Sequence, residues 1–215
     1  MSENLILKAI NDLRVYTFEI PYQQRGYRWT KENINLLLKD LRDYITNGKE
    51  NFYCLQPISV IERSEKVYAV LDGQQRLTTL YLIWKYLVSD GKLLSDEEEI
   101  FHFKFDKDKD DERKNLLKNP ITETKDTKID YYYITEAYKA IKDWFEENKW
   151  KQQFKDLFEA SADSEKSVQV IWYLITDSTK EHEVFRNINS GKIQLSNSDL
   201  IKALLLNRKK RNLVL

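Results

Sequence analysis

Apolar residues at Ile34, Leu37, Leu38, Leu41 and Ile45 recur at three- and four-residue spacing after Thr30. That spacing lays them on one face of a helix, which Thr30 caps and which ends near Gly48. Upstream, Tyr16, Thr17, Phe18, Glu19 and Ile20 predict a short strand, the first regular element of the pattern, stopped by Pro21 because proline has no N–H to give to a ladder. Residues 52–61 and 66–71 predict two more strands, joined through Glu62, Arg63, Ser64 and Glu65 as a hairpin-like pair. After Asp72 and Gly73 the period changes. Leu77, Leu80, Tyr81, Trp84 and Val88 form a helical stripe with Leu82, Ile83 and Leu87 apolar behind it, so this helix is expected to be buried on most sides.

Residues 94–130 break the pattern. They are acidic and rich in Lys and Asp, and only Ile100, Phe101, His102, Phe103, Lys104 and Phe105 suggest order. The segment reads as an insertion: a strand or docked segment, then a solvated loop and a short helix. Ile134, Ala137, Tyr138, Ile141, Trp144 and Phe145 then mark a strongly amphipathic helix, and Trp150, Phe154, Leu157 and Phe158 mark another. The run from Val168 to Ile175 is apolar on both faces, as in a central strand. Ser178 with Glu181, and Ser196 with Asp199, have the spacing of capping boxes for two further helices. No internal repeat occurs, and the elements together predict one α+β domain over residues 1–215.

Composition narrows the class. With 41% hydrophobic and 33% charged residues but only 5 Gly and 3 Pro, the chain has the makings of a folded core and not of a linker or disordered tail. No apolar run approaches the ~18 residues of a membrane span, and the first residues lack a signal-peptide pattern, so a cytoplasmic protein with no membrane partner is expected. The single Cys54 excludes an internal disulfide, and with only His102 and His182 no zinc site of ordinary spacing is expected. The 35 basic and 35 acidic residues cancel, which excludes a polycation that coats nucleic acid indiscriminately. Basic residues nonetheless outnumber acidic ones 12 to 10 in residues 1–88 and 14 to 12 in 131–215, against 9 to 13 in 89–130. A phosphate partner would therefore prefer the two ends of the chain.

The sharpest candidate for chemistry is Asp72, Gly73, Gln74, Gln75 and Arg76, set between a predicted strand and a predicted buried helix. A glycine turn into a helix leaves the first N–H groups unpaired at the positive end of the dipole, which suits an anion. Arg76 adds a fork for phosphate oxygens, and Gln74 and Gln75 add amide donors. Asp72 is out of place in a plain phosphate grip; it suits a bound cation, an oriented water or a ribose hydroxyl. The same five residues also describe an ordinary capped helix start, and local physics leaves the two readings open. A second candidate is the run from Ile20 to Trp29, where Arg25 and Arg28 are interleaved with Tyr22, Tyr27 and Trp29: either a phosphate-and-base surface or aromatic anchors at a helix entry. Asn189 and Gly191 suit a helix stop or an amide facing a ligand, and Arg208, Lys209, Lys210 and Arg211 form a basic tail. There is no P-loop, no Gly-x-Ser-x-Gly elbow, and no histidine pair for a His-Asn-His nuclease. Cys54 sits in an apolar strand context and reads as filler, not as a nucleophile.

Four motifs taken in order resemble a known family: Ile-Pro-x-x-x-Arg-x-Tyr-x-Trp (Ile20 to Trp29), Asp-Gly-Gln-Gln-Arg-Leu-Thr-Thr-Leu (Asp72 to Leu80), Phe-x-x-Ile-Asn-x-Gly (Phe185 to Gly191) and Leu-Ser-x-x-Asp-Leu-Ile-Lys (Leu195 to Lys202). Together they look like the N-terminal domain of GmrSD-type, modification-dependent (type IV) restriction proteins, of which the Asp-Gly-Gln-Gln-Arg element is the hallmark. The resemblance implies a ParB/sulfiredoxin-like small mixed sheet with a surrounding helical bundle. It also implies a nucleotide-binding, NTP-hydrolysing sensor in phage defence, acting on modified phage DNA, with an NTP as ligand with or without Mg2+. Carried onto this chain, the resemblance makes Asp72 and Arg76 catalytic, and Gly73, Gln74, Gln75, Arg76, Arg25 and Asn189 nucleotide-binding. Arg25, Arg28, Arg208 and Arg211 are the candidate DNA contacts. Sulfiredoxin chemistry is not expected, because the turn holds no cysteine. Relatives continue into a His-Asn-His nuclease domain, which this chain lacks, so cleavage is expected from another domain or subunit. The alternative is a non-catalytic module that grips DNA backbone phosphate with the same loop.

Overall fold

The computed structural model describes residues 5–21, 24–89, 95–105, 110–120 and 129–176. Its strands are β1 (Leu5–Ala9), β2 (Thr17–Ile20), β3 (Phe52–Ser64), β4 (Val67–Asp72), β5 (His102–Phe105) and β6 (Ser167–Leu174). Its helices are α1 (Lys31–Asn47), α2 (Gln74–Ser89), α3 (Asp110–Lys118), α4 (Ile129–Asn148) and α5 (Lys151–Glu159), with 3-10 turns at Asn11–Val15 and Asp96–Glu98. The strands form one mixed sheet in the order β1-β6-β3-β4-β2-β5, and the protein is an α+β fold. The two helices expected after Ser178 and Ser196 lie outside the described residues.

The expected hairpin is present: β3 and β4 pair antiparallel, with Glu65 and Lys66 in the turn and Lys66 at φ 62. β6 is an interior strand, second from one end of the sheet, parallel to β3 on one side and antiparallel to β1 on the other, which accounts for its two-sided apolar run. β1 escaped the sequence pattern. It is five residues long, and Ile6 on its outward side stays 42% exposed, so it shows no clean alternation. Residues 102–105 of the acidic segment form the edge strand β5, parallel to β2 with Thr17 opposite His102.

Helices cover one face of the sheet. α2 packs against α4 and α5, and α1 against α4. Leu77, Leu80, Leu82 and Ile83 on α2 are fully buried, along with Thr79. Phe18 of β2 meets Phe101 edge-on at 5.1 Å and Trp172 of β6 at 6.0 Å, so rings from opposite halves of the sheet join over its helical face. Leu41, Leu80, Trp84, Ile141, Val170 and Trp172 are buried as the stripes predicted, whereas Leu37 is only partly covered.

The direction of the strands positions the site. β4, β2 and β5 are parallel neighbours, so their carboxyl ends at Asp72, Ile20 and Phe105 share one edge of the sheet. Chain leaving such ends forms the usual crevice for ligands in sheets with parallel strands.

Candidate functional site

Gly73 makes the turn from β4 into α2 at φ +101, a conformation side chains resist. A Cβ there would lie 2.9 Å from Ile58 Cγ1, so space and backbone both require glycine. Gly73 O accepts from Leu77 N at 2.9 Å, which is the first bond of the helix. The helix therefore offers no partner to the N–H groups of Gln74, Gln75 and Arg76, which lie at the positive end of its dipole.

Arg76 points back across this turn to a break in β3. Pro57 cannot donate to a ladder, and the β3/β6 register shifts between Leu55 and Ile58. Arg76 Nη2 donates to the carbonyl oxygen of Pro57 and to Asp72 Oδ2 (3.1 Å), while Nη1 donates to Gln56 Oε1 (2.9 Å). The Arg76 side chain is 15% exposed and that of Asp72 is 44% exposed. Burial pushes the Arg76 guanidinium below its ordinary value and Asp72 opposes the shift, yet an arginine keeps its charge in either case. Two buried polar atoms here have no partner: Arg76 Nε and Gln74 Oε1.

Gln75 faces the other way and clamps the segment before α1. Its Oε1 accepts from Arg28 N at 2.7 Å and its Nε2 donates to Gly26 O at 3.2 Å. The Gln24 amide donates to Val70 O at 2.5 Å, and the Tyr27 hydroxyl pairs with Thr79 Oγ1 at 2.8 Å. These contacts bring the Arg25 and Arg28 segment onto the Asp72–Arg76 turn. Arg25 is exposed, and the Arg28 guanidinium lies over the Tyr133 ring at 5.4 Å while donating to Tyr27 O at 2.8 Å. Asn189, Arg208 and Arg211 lie outside the described residues.

The donor set suits a phosphate ligand more than a resident metal. Among the described residues no group of three or more His, Cys, Asp or Glu side chains is placed to hold an ion. The turn presents one half-exposed carboxylate, Asp72, beside helix N–H groups that have no intrahelical acceptor. Cys54 is half-buried, its thiol pushed up to about 11 by burial, which is the state of a filler and not of a nucleophile. A separate cleft of about 420 Å³ opens near the amino ends of β2 and β5, lined by Thr17, Tyr81, Glu99, His102 and Lys118 among others. Its buried Glu99 is already bonded to His102 Nδ1 (2.9 Å) and Lys118 (3.1 Å), and none of Asp72 to Arg76 lines it.

Gln56 and Pro57 were not singled out as site residues from sequence. The one available signal was a proline inside an apolar strand, which implies a bulge and a carbonyl turned off the ladder. Among the described residues no helix is long and apolar enough to cross a membrane. No curated protein matches the chain. The sequence profile of the family described as GmrSD restriction endonuclease, N-terminal domain, matches residues 3–206, a span that holds the turn, the clamped arginine segment and Asn189 but stops short of Arg208 and Arg211. With most of its length matched, the chain belongs to the GmrSD restriction endonuclease N-terminal domain family, and its role is in a restriction system.

Proposed function

We propose that the protein is the nucleotide-binding and NTP-hydrolysing sensor of its restriction system, acting on modified DNA and working with a nuclease domain or subunit. The observation that carries this reading is the pairing of a half-exposed Asp72 with a buried Arg76 around the unpaired N–H groups of the α2 start. A loop that only grips phosphate has no use for a carboxylate beside its arginine, whereas hydrolysis does. In this reading the N–H groups of Gln74 to Arg76 hold the phosphates and Arg76 meets the charge that develops on them. Asp72 orients the water that displaces the nucleoside diphosphate from the terminal phosphate. Gln74 Oε1, buried with no partner, supplies an acceptor for a ligand hydroxyl or amine.

The test is phosphate release from each NTP by the intact chain, with and without modified DNA, beside calorimetric binding. The native chain is expected to bind and hydrolyse at least one NTP, and Arg76→Ala to lose roughly 1.5–3 kcal/mol of binding, the scale of a charge-assisted hydrogen bond. A folded chain that binds DNA but no NTP under any condition overturns the reading in favour of a non-catalytic DNA module.

A further inference from the structure

The third strand that ends at the site edge is β5, and the chain beyond it enters α3, which carries Arg113. Nothing in the sequence motifs singles this residue out. Arg113 Nη2 donates to Asp130 Oδ2 at 2.7 Å, and the two side chains are only 19% and 15% exposed. Asp130 lies in the first turn of α4, directly against Gly26. A Cβ on Gly26 would fall 2.5 Å from Asp130 Cβ and 2.9 Å from its Cγ, so residue 26 is glycine because Asp130 occupies the space. On its other side Gly26 is held by Gln75, whose Nε2 donates to its carbonyl.

We infer that Arg113, acting through Asp130, is a positioning residue that fixes residues 25–28 against Gln75; as a statement about nucleotide binding this rests on the reading above. A contiguous chain of contacts supports it: Arg113 to Asp130, Asp130 to Gly26, Gly26 to Gln75, with Arg28 bonded to the same Gln75. Arg28 also rests on Tyr133, one turn along α4 from Asp130, so α4 meets the segment at both Gly26 and Arg28. The Arg113 guanidinium lies over the ring of Phe105, the last residue of β5, at 5.5 Å. Energetics favour a positioning role over a stabilising one. Arg113 Nε is buried without a partner, and a buried ion pair with an unsatisfied donor stabilises a fold less than apolar packing of the same volume does. What the pair contributes is placement: a carboxylate held rigidly where a backbone must pass.

The experiment uses the full chain with Arg113→Ala, Asp130→Ala, the double variant, Arg113→Lys and Gly26→Ala. The readouts are amide hydrogen exchange and calorimetric titration with Mg2+ and each NTP. Both single alanine variants should speed exchange at residues 25–28 about tenfold, with β3 and β4 unchanged, and weaken NTP binding about tenfold. Arg113→Lys should recover most of the loss, and the double variant should be no worse than either single. Gly26→Ala crowds the Asp130 side chain, Oδ2 included, so it should reproduce the local exchange change whether the segment or the carboxylate gives way. Unchanged exchange at 25–28 in the single variants overturns the inference, as does an equal rise across β3 and β4, which marks general destabilisation. A native chain that binds no NTP, with exchange at 25–28 responding as described, overturns the nucleotide reading alone.

Discussion

Gln75 Oε1 accepts the backbone N–H of Arg28 at 2.7 Å, joining residues 47 positions apart in sequence. A side chain expected to donate to a ligand thus also holds the neighbouring arginine segment in place. Gln75→Ala removes this bond and the one to Gly26 O, and should cost about 1–3 kcal/mol of stability at roughly 0.5–1.5 kcal/mol per bond. Gln75→Glu keeps the acceptor for Arg28 but sets a carboxylate oxygen against the Gly26 carbonyl, so it should cost at least as much as Gln75→Ala. Urea unfolding of the three proteins checks the order.

Gly73→Ala meets two obstacles, a positive φ and Ile58 at 2.9 Å. A cost of about 1–3 kcal/mol is expected from the strained backbone, with more from displacement of Ile58. Thermal unfolding measures it, and a variant as stable as the native chain would show that the turn adopts another conformation.

Asp72→Ala separates turnover from binding. The ion pair shows that Asp72 holds one edge of Arg76, so its removal leaves the arginine on Gln56 and Pro57 and frees part of the fork. Hydrolysis should fall by about 10²-fold or more while nucleotide affinity stays level or rises. Equal losses of both, read by calorimetry and phosphate release, would point to ribose recognition or to folding.

DNA binding, if it runs through Arg25 and Arg28, should be weak on unmodified duplex and steeply salt-dependent, because the chain as a whole has no net charge. The Arg25→Ala/Arg28→Ala variant should lower the slope of log affinity against log salt by about 2. Tight binding indifferent to salt would contradict this.

Stability should decline in alkali. Burial raises the Cys54 thiol to about 11 and raises the Tyr27 and Tyr81 hydroxyls further. The fold favours the neutral form of each, so the unfolded chain gives up these protons first and binds fewer of them. Their contribution is fully present below the ordinary thiol range and is lost as pH rises through it, from about pH 9 upward. Cys54→Ala should delay the earliest part of the fall in Tm, and iodoacetamide at pH 8 should label Cys54 far faster in urea than in the folded chain.

The helices α1, α2, α4 and α5 were legible because their apolar residues recur at three- and four-residue spacing, a period set by the helix itself. β1 was not, since five residues without alternation carry no signal of their own and take their strand identity from β6. The Asp72–Arg76 turn could be located from sequence because glycine between a strand and a helix has local meaning. That Arg76 turns to Gln56 and Pro57, and that Gln75 turns to Gly26 and Arg28, could not be found in this way. Those partners are chosen by sheet order and register, which bring residues 19 to 49 positions apart into contact.

The bulge at Gln56 and Pro57 also constrains how the gene can change. β3 takes three steps from Leu55 to Ile58 where β6 takes two from Val170 to Trp172, so deleting one residue there would close the bulge and leave Leu55 and Ile58 on one face by plain alternation. Leu55, Ile58 and Val60 would keep their shared core face, while Arg76 would lose the backbone acceptor that the bulge supplies. The extra residue in β3 therefore serves the site and not the core, and a chain of even spacing there would keep its packing while giving up the anchor of Arg76.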